Sequence, residues 1–302
     1  MRLSIVANVA ERRKSLLYLS EYYAIFFSQR SLINRNAMTS SIVPQNGLRK
    51  KIVDGRTVFG TMIVEIHQAS VIQLLANAGF DFVIIDGEHG PFTIVHIAEL
   101  SRAAVAAGMT PIVRVPEIAY TPITQALDGG AQGIMIPRVV RKQQVEEAVS
   151  IMKYPPVGIR GSVLARGHTR FQWGDVRRAM DEFNRETMLI VQVETKEGLE
   201  ACDALAQIPG VDALLIGPND LSIALGIPGE YTHQTFIAAV EKTVAACKKH
   251  NITAALHAND ISTLATWLQR GMRMVSFHSE AGMMMQAGTL ALKELQEVKA
   301  GS

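Results

Sequence analysis

Phe80-Asp81-Phe82-Val83-Ile84-Ile85-Asp86-Gly87-Glu88-His89-Gly90-Pro91 is the stretch that decides the fold. An unbroken apolar run of strand formers, Phe82 to Ile85, ends abruptly in Asp86, Gly87, Glu88 and His89, after which Gly90 and Pro91 turn the chain. Such a run reads as a buried parallel strand. In α/β folds ligands bind beyond the carboxyl ends of the strands, so a charge cluster placed there is better explained by function than by packing.

The same rhythm repeats outward from this stretch. Short apolar runs at 59–64, 82–85, 111–115, 133–136, 188–193, 213–216, 253–256 and 274–277 read as strands. Between and after them, helical-period segments fall near 67–78, 94–107, 121–128, 141–153, 196–207, 234–250, 261–270 and 283–298. Ala78-Gly79 and Ala107-Gly108 close helices just before the next strand, where glycine supplies a left-handed cap. Eight βα units in roughly 250 residues predict an α/β fold of the TIM (β/α)8 barrel type. A doubly wound sheet is the weaker alternative, because no Gly-x-Gly-x-x-Gly follows the first strand and no P-loop occurs.

The barrel places strand ends on one face, and four of them deliver ionisable groups there: Asp86 to His89, Arg114, Glu194 and Asp220. Glu194 and Asp220 follow adjacent strands, and two carboxylates with little cation nearby suit a hard divalent ion completed by water and substrate. Each acid could instead cap the helix that follows it. The planar donors of Arg114 suit a carboxylate or a developing enolate oxygen, and the same side chain could form an internal salt bridge to Asp86. His89 is a candidate general base, because imidazole titrates near neutrality and a neighbouring carboxylate can fix its tautomer. Asp128 closes the third helix, where a negative charge opposes the dipole and calls for a partner, so it is a candidate orienter of a histidine. The long connection at 154–168, with Arg160, Ser162 and Arg166, could hold an anionic substrate or be a solvated loop.

With 48% hydrophobic and 19% charged residues among 302, the chain can bury a large core, and nothing suggests a second one. The net charge of +2 gives no support for nucleic acid or an anionic membrane as partner. No apolar run reaches the roughly 20 residues of a membrane span. Cys202 and Cys247 lie in helical stretches without metal or redox spacing, which suits buried, reduced thiols and a cytoplasmic protein. Residues 1–37 differ from the rest, with six basic residues against two acidic ones and aromatics at Tyr22, Tyr23, Phe26 and Phe27. They read as an extension outside the fold that precedes a natural start at Met38. An organellar transit peptide, with a matrix location, is the other reading.

These stretches together resemble the HpcH/HpaI class II pyruvate-dependent aldolases, whose relatives include 4-hydroxy-2-oxoheptanedioate and 2-dehydro-3-deoxyglucarate aldolases. The matching motifs run in family order: Ala78 through His89, Val113 to Pro116, Leu127 to Gln132, Tyr154 to Gly161, Val191 to Thr195 and Ile216 to Ser222. The resemblance implies a barrel of the phosphoenolpyruvate/pyruvate-binding type, spanning 38–302, that reversibly cleaves 4-hydroxy-2-oxo acids to pyruvate and an aldehyde. It implies that Glu194 and Asp220 hold a divalent metal (Mg2+, Mn2+ or Co2+) that also takes the 2-oxo acid. Arg114 would stabilise the enolate oxygen and Asp86 would support Arg114 and the metal-bound water. Ser162 and the backbone through Gly217, Pro218 and Asn219 would receive the pyruvate carboxylate, and Gln132 would also contact substrate. His89, oriented by Asp128, would move the C4 hydroxyl proton.

Family members are typically homohexamers whose last helix packs on a neighbouring subunit, a role open to 283–298. The chain departs from the family in two places. The loop 160–166 is one residue short, which weakens the assignment of Ser162. His257, His278 and Ser279-Glu280 stand near strands seven and eight where other residues are usual. The two histidines are expected either to alter acceptor-aldehyde preference or to be a local repacking. The rival functions are an acyl-CoA lyase of the citramalyl or malyl type, which calls for a basic surface not evident here, and a non-catalytic metabolite-binding barrel.

Overall fold

The structure is a computed structural model that describes residues 41–300. The expectations for 1–37 and for a start at Met38 lie outside the described residues.

Eight strands close into one parallel barrel in sequence order: β1 (Val58–Ile63), β2 (Phe82–Asp86), β3 (Thr110–Arg114), β4 (Gly133–Ile136), β5 (Met188–Val193), β6 (Ala213–Ile216), β7 (Thr253–Ala258) and β8 (Met274–Ser279). The apolar runs are continuous because both strand faces are buried. Phe82, Ile84, Ile112, Ile190 and Leu215 fill the interior, while their neighbours Val83, Ile85, Val113, Val191 and Ile216 meet the helices. Each such fully buried side chain contributes about 1.5–3 kcal/mol of apolar burial. The TIM-barrel expectation therefore holds, with strand limits shifted by no more than two residues.

The helices are α1 (Gly47–Val53), α2 (Ser70–Ala78), α3 (Ile94–Ala106), α4 (Tyr120–Gly129), α5 (Lys142–Met152), α6 (Val176–Glu186), α7 (Lys196–Ala206), α8 (Pro218–Ala224), α9 (Gln234–Lys249), α10 (Ile261–Gln269) and α11 (Glu280–Ala300). Three of them, α1, α6 and α8, go beyond the sequence reading. The local cause of α6 is plain: Asp175 accepts from the Arg178 N–H at its start, and Ala179 and Phe183 form its buried edge. The α1 helix seals the N-terminal end of the barrel, with Leu48 buried in the interior and its N–H donating to Thr110 Oγ1 at 3.1 Å.

This geometry separates residues expected to work together. A helix that precedes a strand ends at the floor of the barrel, where that strand begins, so Asp128 at the end of α4 lies opposite the end that carries His89. Within this chain Asp128 does not orient His89; its carboxylate takes Arg160 Nη2 at 2.6 Å instead. Gln132, just ahead of β4, is also a floor residue, and its amide donates to the Pro44 and Gln45 carbonyls at 3.1 Å each. Within this chain it therefore stands apart from the mouth. Ser162 is exposed on the connection fastened to the outside of α4, where the neighbouring Gly161 N–H donates to the Tyr120 hydroxyl at 2.9 Å.

The last helix, α11, touches its own barrel at β1 and β8. Met284, Met285, Leu290, Leu292, Leu295 and Val298 along it are exposed. No helix among the described residues is long and apolar enough to cross a membrane.

Candidate active site

The interior of the barrel changes character at the carboxyl ends of the strands. Strand alternation carries the inward set from Phe82 and Ile84 to Asp86, from Ile112 to Arg114, and from Met188 and Ile190 to Gln192. A cavity of about 160 Å³ opens at this end. His89, Arg114, Gln192, Gly217, Asn219, Asp220 and His257 line it above the apolar layer of Ile84, Met135 and Leu215.

Arg114 is the fixed centre. Its Nε and Nη2 donate to Asp86 Oδ1 and Oδ2 at 2.9 and 2.6 Å, a bidentate pair that both burial and hydrogen bonding hold rigid. Nη1 lies 3.3 Å from Glu88 Oε2. The salt bridge to Asp86 and a place in the mouth are both realised. Burial alone would raise the Asp86 pKa, but Arg114 and the N–H groups of His89 and Glu88 outweigh it and hold the carboxyl below its ordinary value. Burial likewise works against the charge of Arg114, yet Asp86, Glu88 and Glu194 hold its pKa above the ordinary value. Gly87 is required here because a Cβ would stand 2.7 Å from the Arg114 carbonyl.

Glu194 shows the opposite balance. It is buried, and burial together with the charges of Asp220 and Glu88 raises its pKa. The Arg138 N–H, donating to Oε1 at 2.6 Å, and the charge of Arg114 only partly compensate. Arg138 holds this bond from a left-handed conformation, φ 53°, a strained geometry typical of functional sites. Glu194 caps no helix, since the Thr195 side chain accepts from the Gly198 N–H and does so for α7. Asp220 sits in the first turn of α8 and is exposed to the mouth. A Cβ on Gly217 would meet Gln192 Nε2 at 2.8 Å and Glu194 Oε2 at 3.0 Å, so glycine keeps a space open directly over both groups.

No cluster of three or more histidine, cysteine or acidic residues arranged to hold a metal occurs among the described residues. Two hard carboxylates nevertheless fit a divalent cation that keeps water and substrate as its other ligands. The raised pKa of Glu194 beside Asp220 is the electrostatic debt such a cation would relieve. The residues present fit the group.

His89 stands at the rim with its side chain 63% exposed, and its Nε2 is 3.8 Å from Glu88 Oε2. Glu88, not Asp128, is the carboxylate beside it. Asn219 is held by the Tyr231 hydroxyl, which donates to its Oδ1. Gln192 lies inside the Val191 to Thr195 motif, where the sequence alone assigns it no role. The structure makes it a site residue: it is buried, lines the cavity, and its Oε1 has no hydrogen-bond partner among the described residues. Its spacing of two from Glu194, on the same strand face, was the available signal. His257 also lines the cavity, with Nδ1 3.0 Å from Ser276 Oγ. Burial and the nearby Arg114 charge push its pKa down to about 4, so it is neutral at pH 7. His278 takes no part in the lining; it occupies a register shift between β8 and β1.

The family described as HpcH/HpaI aldolase/citrate lyase matches residues 61–287. A hydroxypyruvate/pyruvate aldolase of Roseobacter denitrificans is 34% identical over 81% of this chain and 95% of its own length. A 2-keto-3-deoxy-L-rhamnonate aldolase of Klebsiella pneumoniae is 31% identical over 80% of this chain and 90% of its own. The crystal structure of an HpcH/HpaI aldolase from Desulfitobacterium hafniense superposes with a TM-score of 0.79 at 30% identity, covering 83% of this chain and 96% of that one. With the barrel, the ordered strand-end motifs and these relatives in agreement, the chain belongs to the HpcH/HpaI aldolase/citrate lyase family and is a lyase of the aldolase kind.

Proposed function

We propose that this protein is a class II aldolase, dependent on a divalent metal, that reversibly cleaves 4-hydroxy-2-oxo acids to pyruvate and an aldehyde. The observation that carries the reading is the meeting of Arg114, Glu194 and Asp220 at one strand-end mouth, with His89 at its rim. The family is generally divalent-metal-dependent. Glu194 and Asp220 would hold the ion, which when bound supplies a Lewis acid for the 2-oxo group. Arg114, locked by Asp86, neutralises charge that develops on the C2 oxygen as the C3–C4 bond breaks. His89 takes the proton of the C4 hydroxyl, whose oxygen becomes that of the aldehyde, and Glu88 is placed to orient the imidazole. Gln192 and the backbone over Gly217 receive the oxo-acid end. Among the described residues no lysine lines the cavity to form a Schiff base. The size of the cavity suits a short oxo acid.

The same reading extends to assembly. The outer faces of β1 and β8, between α2 and α10, form an apolar groove of about 400 Å³ lined by Phe80, Leu264, Leu268 and Phe277 among others. A terminal helix with an exposed apolar face and an uncovered apolar groove are complementary, which supports exchange of α11 between copies in a homo-oligomer.

The test is pyruvate release from 4-hydroxy-2-oxo acids by chelated protein, with and without magnesium, manganese or cobalt. Metal-restored release is expected, with a loss of about 10³-fold or more in Glu194→Ala. Folded protein that releases no pyruvate with any of the three ions refutes the reading.

A further inference from the structure

Two connections at the mouth are laced to one another through main-chain groups. After β4 the chain runs Ile136-Pro137-Arg138-Val139-Val140, and after β5 it runs Glu194-Thr195 into α7. The Arg138 N–H donates to Glu194 Oε1 at 2.6 Å, and the Thr195 hydroxyl donates to the Val139 carbonyl at 3.3 Å. Gly198 in the first turn of α7 leaves the room this needs, because a Cβ there would stand 2.4 Å from the Val139 oxygen. From α5, Gln144 Oε1 accepts the N–H groups of Val140 and Arg141 at 3.0 and 3.1 Å. The turn after β4 is therefore gripped from two helices.

Arg138 stands within that grip at φ 53°, in the left-handed region that L side chains avoid. Such a conformation persists only where the surroundings over-determine it. The Arg138 side chain is exposed, so its own packing gives no reason for the strain. What the left-handed turn achieves is the direction of the N–H, which meets a buried carboxylate. The consequence falls on Glu194, whose last torsion is otherwise broad and roughly two-fold. With Oε1 committed to Arg138, Oε2 lies over Gly217, where a Cβ would come within 3.0 Å of it. Asp220 stands three residues beyond Gly217, in the first turn of α8.

We propose that Arg138 is a positioning residue: its main-chain N–H, and not its guanidinium, pins one oxygen of Glu194 so that the other is presented over Gly217 to a divalent cation shared with Asp220. The inference rests on the metal-dependent reading above. It makes the backbone conformation at residue 138 a determinant of metal affinity that acts through Glu194.

The experiment titrates Mn2+ calorimetrically into chelated wild type, Arg138→Gly, Arg138→Asn and Arg138→Val, each shown to be folded by its thermal melt. All three variants lose the guanidinium, so a comparison among them isolates the backbone. Glycine and asparagine accept the left-handed region, whereas β-branched valine resists it. The expected result is a Kd for Mn2+ about tenfold weaker in Arg138→Val than in Arg138→Gly or Arg138→Asn. Should Arg138→Val fail to fold, Arg138→Ala takes its place, with a difference of about fivefold from Arg138→Gly. A merely structural role would lower the melting temperature of Arg138→Val and leave its Kd with the others. Equal affinities in the variants overturn the inference, whether or not they match wild type, and the metal-dependent reading then stands. Folded wild type that binds none of manganese, magnesium and cobalt removes that reading and this inference with it.

Discussion

The two ends of the barrel handle buried polar groups differently. At the floor several are held by partners far away in sequence, although Tyr154 Oη, Arg160 Nε and His168 Nε2 have none among the described residues. Asn46 Nδ2 donates to the Gln132 and Glu186 carbonyls, Lys153 Nζ to those of Asn184 and Thr187, and Asp212 takes the Leu189 N–H and the Arg49 guanidinium. At the mouth, Gln192 Oε1 has no partner among the described residues and Glu194 is held in an environment that disfavours its charge. Both ends are rich in polar side chains, so polarity alone does not locate function in this fold. Nor does an unpartnered atom by itself: what marks the mouth is that the open Gln192 oxygen and the disfavoured Glu194 carboxylate meet under Gly217 and beside Asp220 at one cavity, where a ligand can reach them.

If that contrast is right, a conservative change at the mouth harms catalysis more than folding. Arg114→Lys keeps the charge but loses the fork that grips Asp86 through two nitrogens and reaches Glu88 with the third. A loss of about 10²–10³-fold in kcat is expected, from steady-state rates on metal-loaded protein. A loss below tenfold would mean that the guanidinium is mainly a structural tie to Asp86, and the mouth would then resemble the floor.

The floor gives the converse. Asn46→Ala removes two donated hydrogen bonds to backbone carbonyls and the cap that accepts the Arg49 N–H at 3.0 Å. Stability should drop by about 2 kcal/mol, read from the urea midpoint, while kcat of the folded enzyme stays within about twofold. A kcat that falls along with stability would show that the floor also sets the geometry of the reaction.

The same contrast explains what was legible in the sequence. The mouth was, because its residues follow apolar runs: Asp86 ends one, Arg114 another, and Glu194 a third. Where a strand ends is a local fact. The floor network was not, because Asn46 meets Gln132 and Glu186 across 86 and 140 residues of chain, and nothing near Asn46 in sequence announces either. For Asp128 and Gln132 the topology adds what their residue types do not show. Asp128 stands in the last turn of a helix and Gln132 just ahead of the strand after it, and in a βα barrel that connection lies at the floor. Helix α6 was overlooked because charged residues dominate it, though Val176, Ala179, Met180 and Phe183 recur at helical spacing and Asp175 was a readable N-cap. Glu280 looked only like an unusual end to β8. Its carboxylate accepts the N–H groups of Val64, Glu65 and Ile66, so it fastens the turn after β1, and only the closure of β8 onto β1 reveals that.

The smallest expected effect is also the most direct test of the poised state of Glu194. Its folded pKa is raised, so the native protein keeps the proton to a higher pH than the unfolded chain does. The stability this contributes is complete below the ordinary carboxylate pKa and is lost as pH rises through the raised value. Glu194→Gln carries the neutral form at every pH and escapes that loss. In chelated protein, thermal melts from about pH 4 to 8 should show the variant gaining on the wild type as pH rises, with the gain confined to the region above the ordinary range for glutamate, about 4.3. Asp86, whose pKa is lowered, has the opposite sign: its contribution is present at neutral pH and disappears in acid, so Asp86→Asn should lose most where Glu194→Gln gains. Excess magnesium or manganese should then reverse the order of wild type and Glu194→Gln, since a cation binds the native wild type and adds stability by mass action. Identical pH profiles for wild type and Glu194→Gln, with no reversal by metal, would place Glu194 among the satisfied groups and erase the difference between the two ends of the barrel.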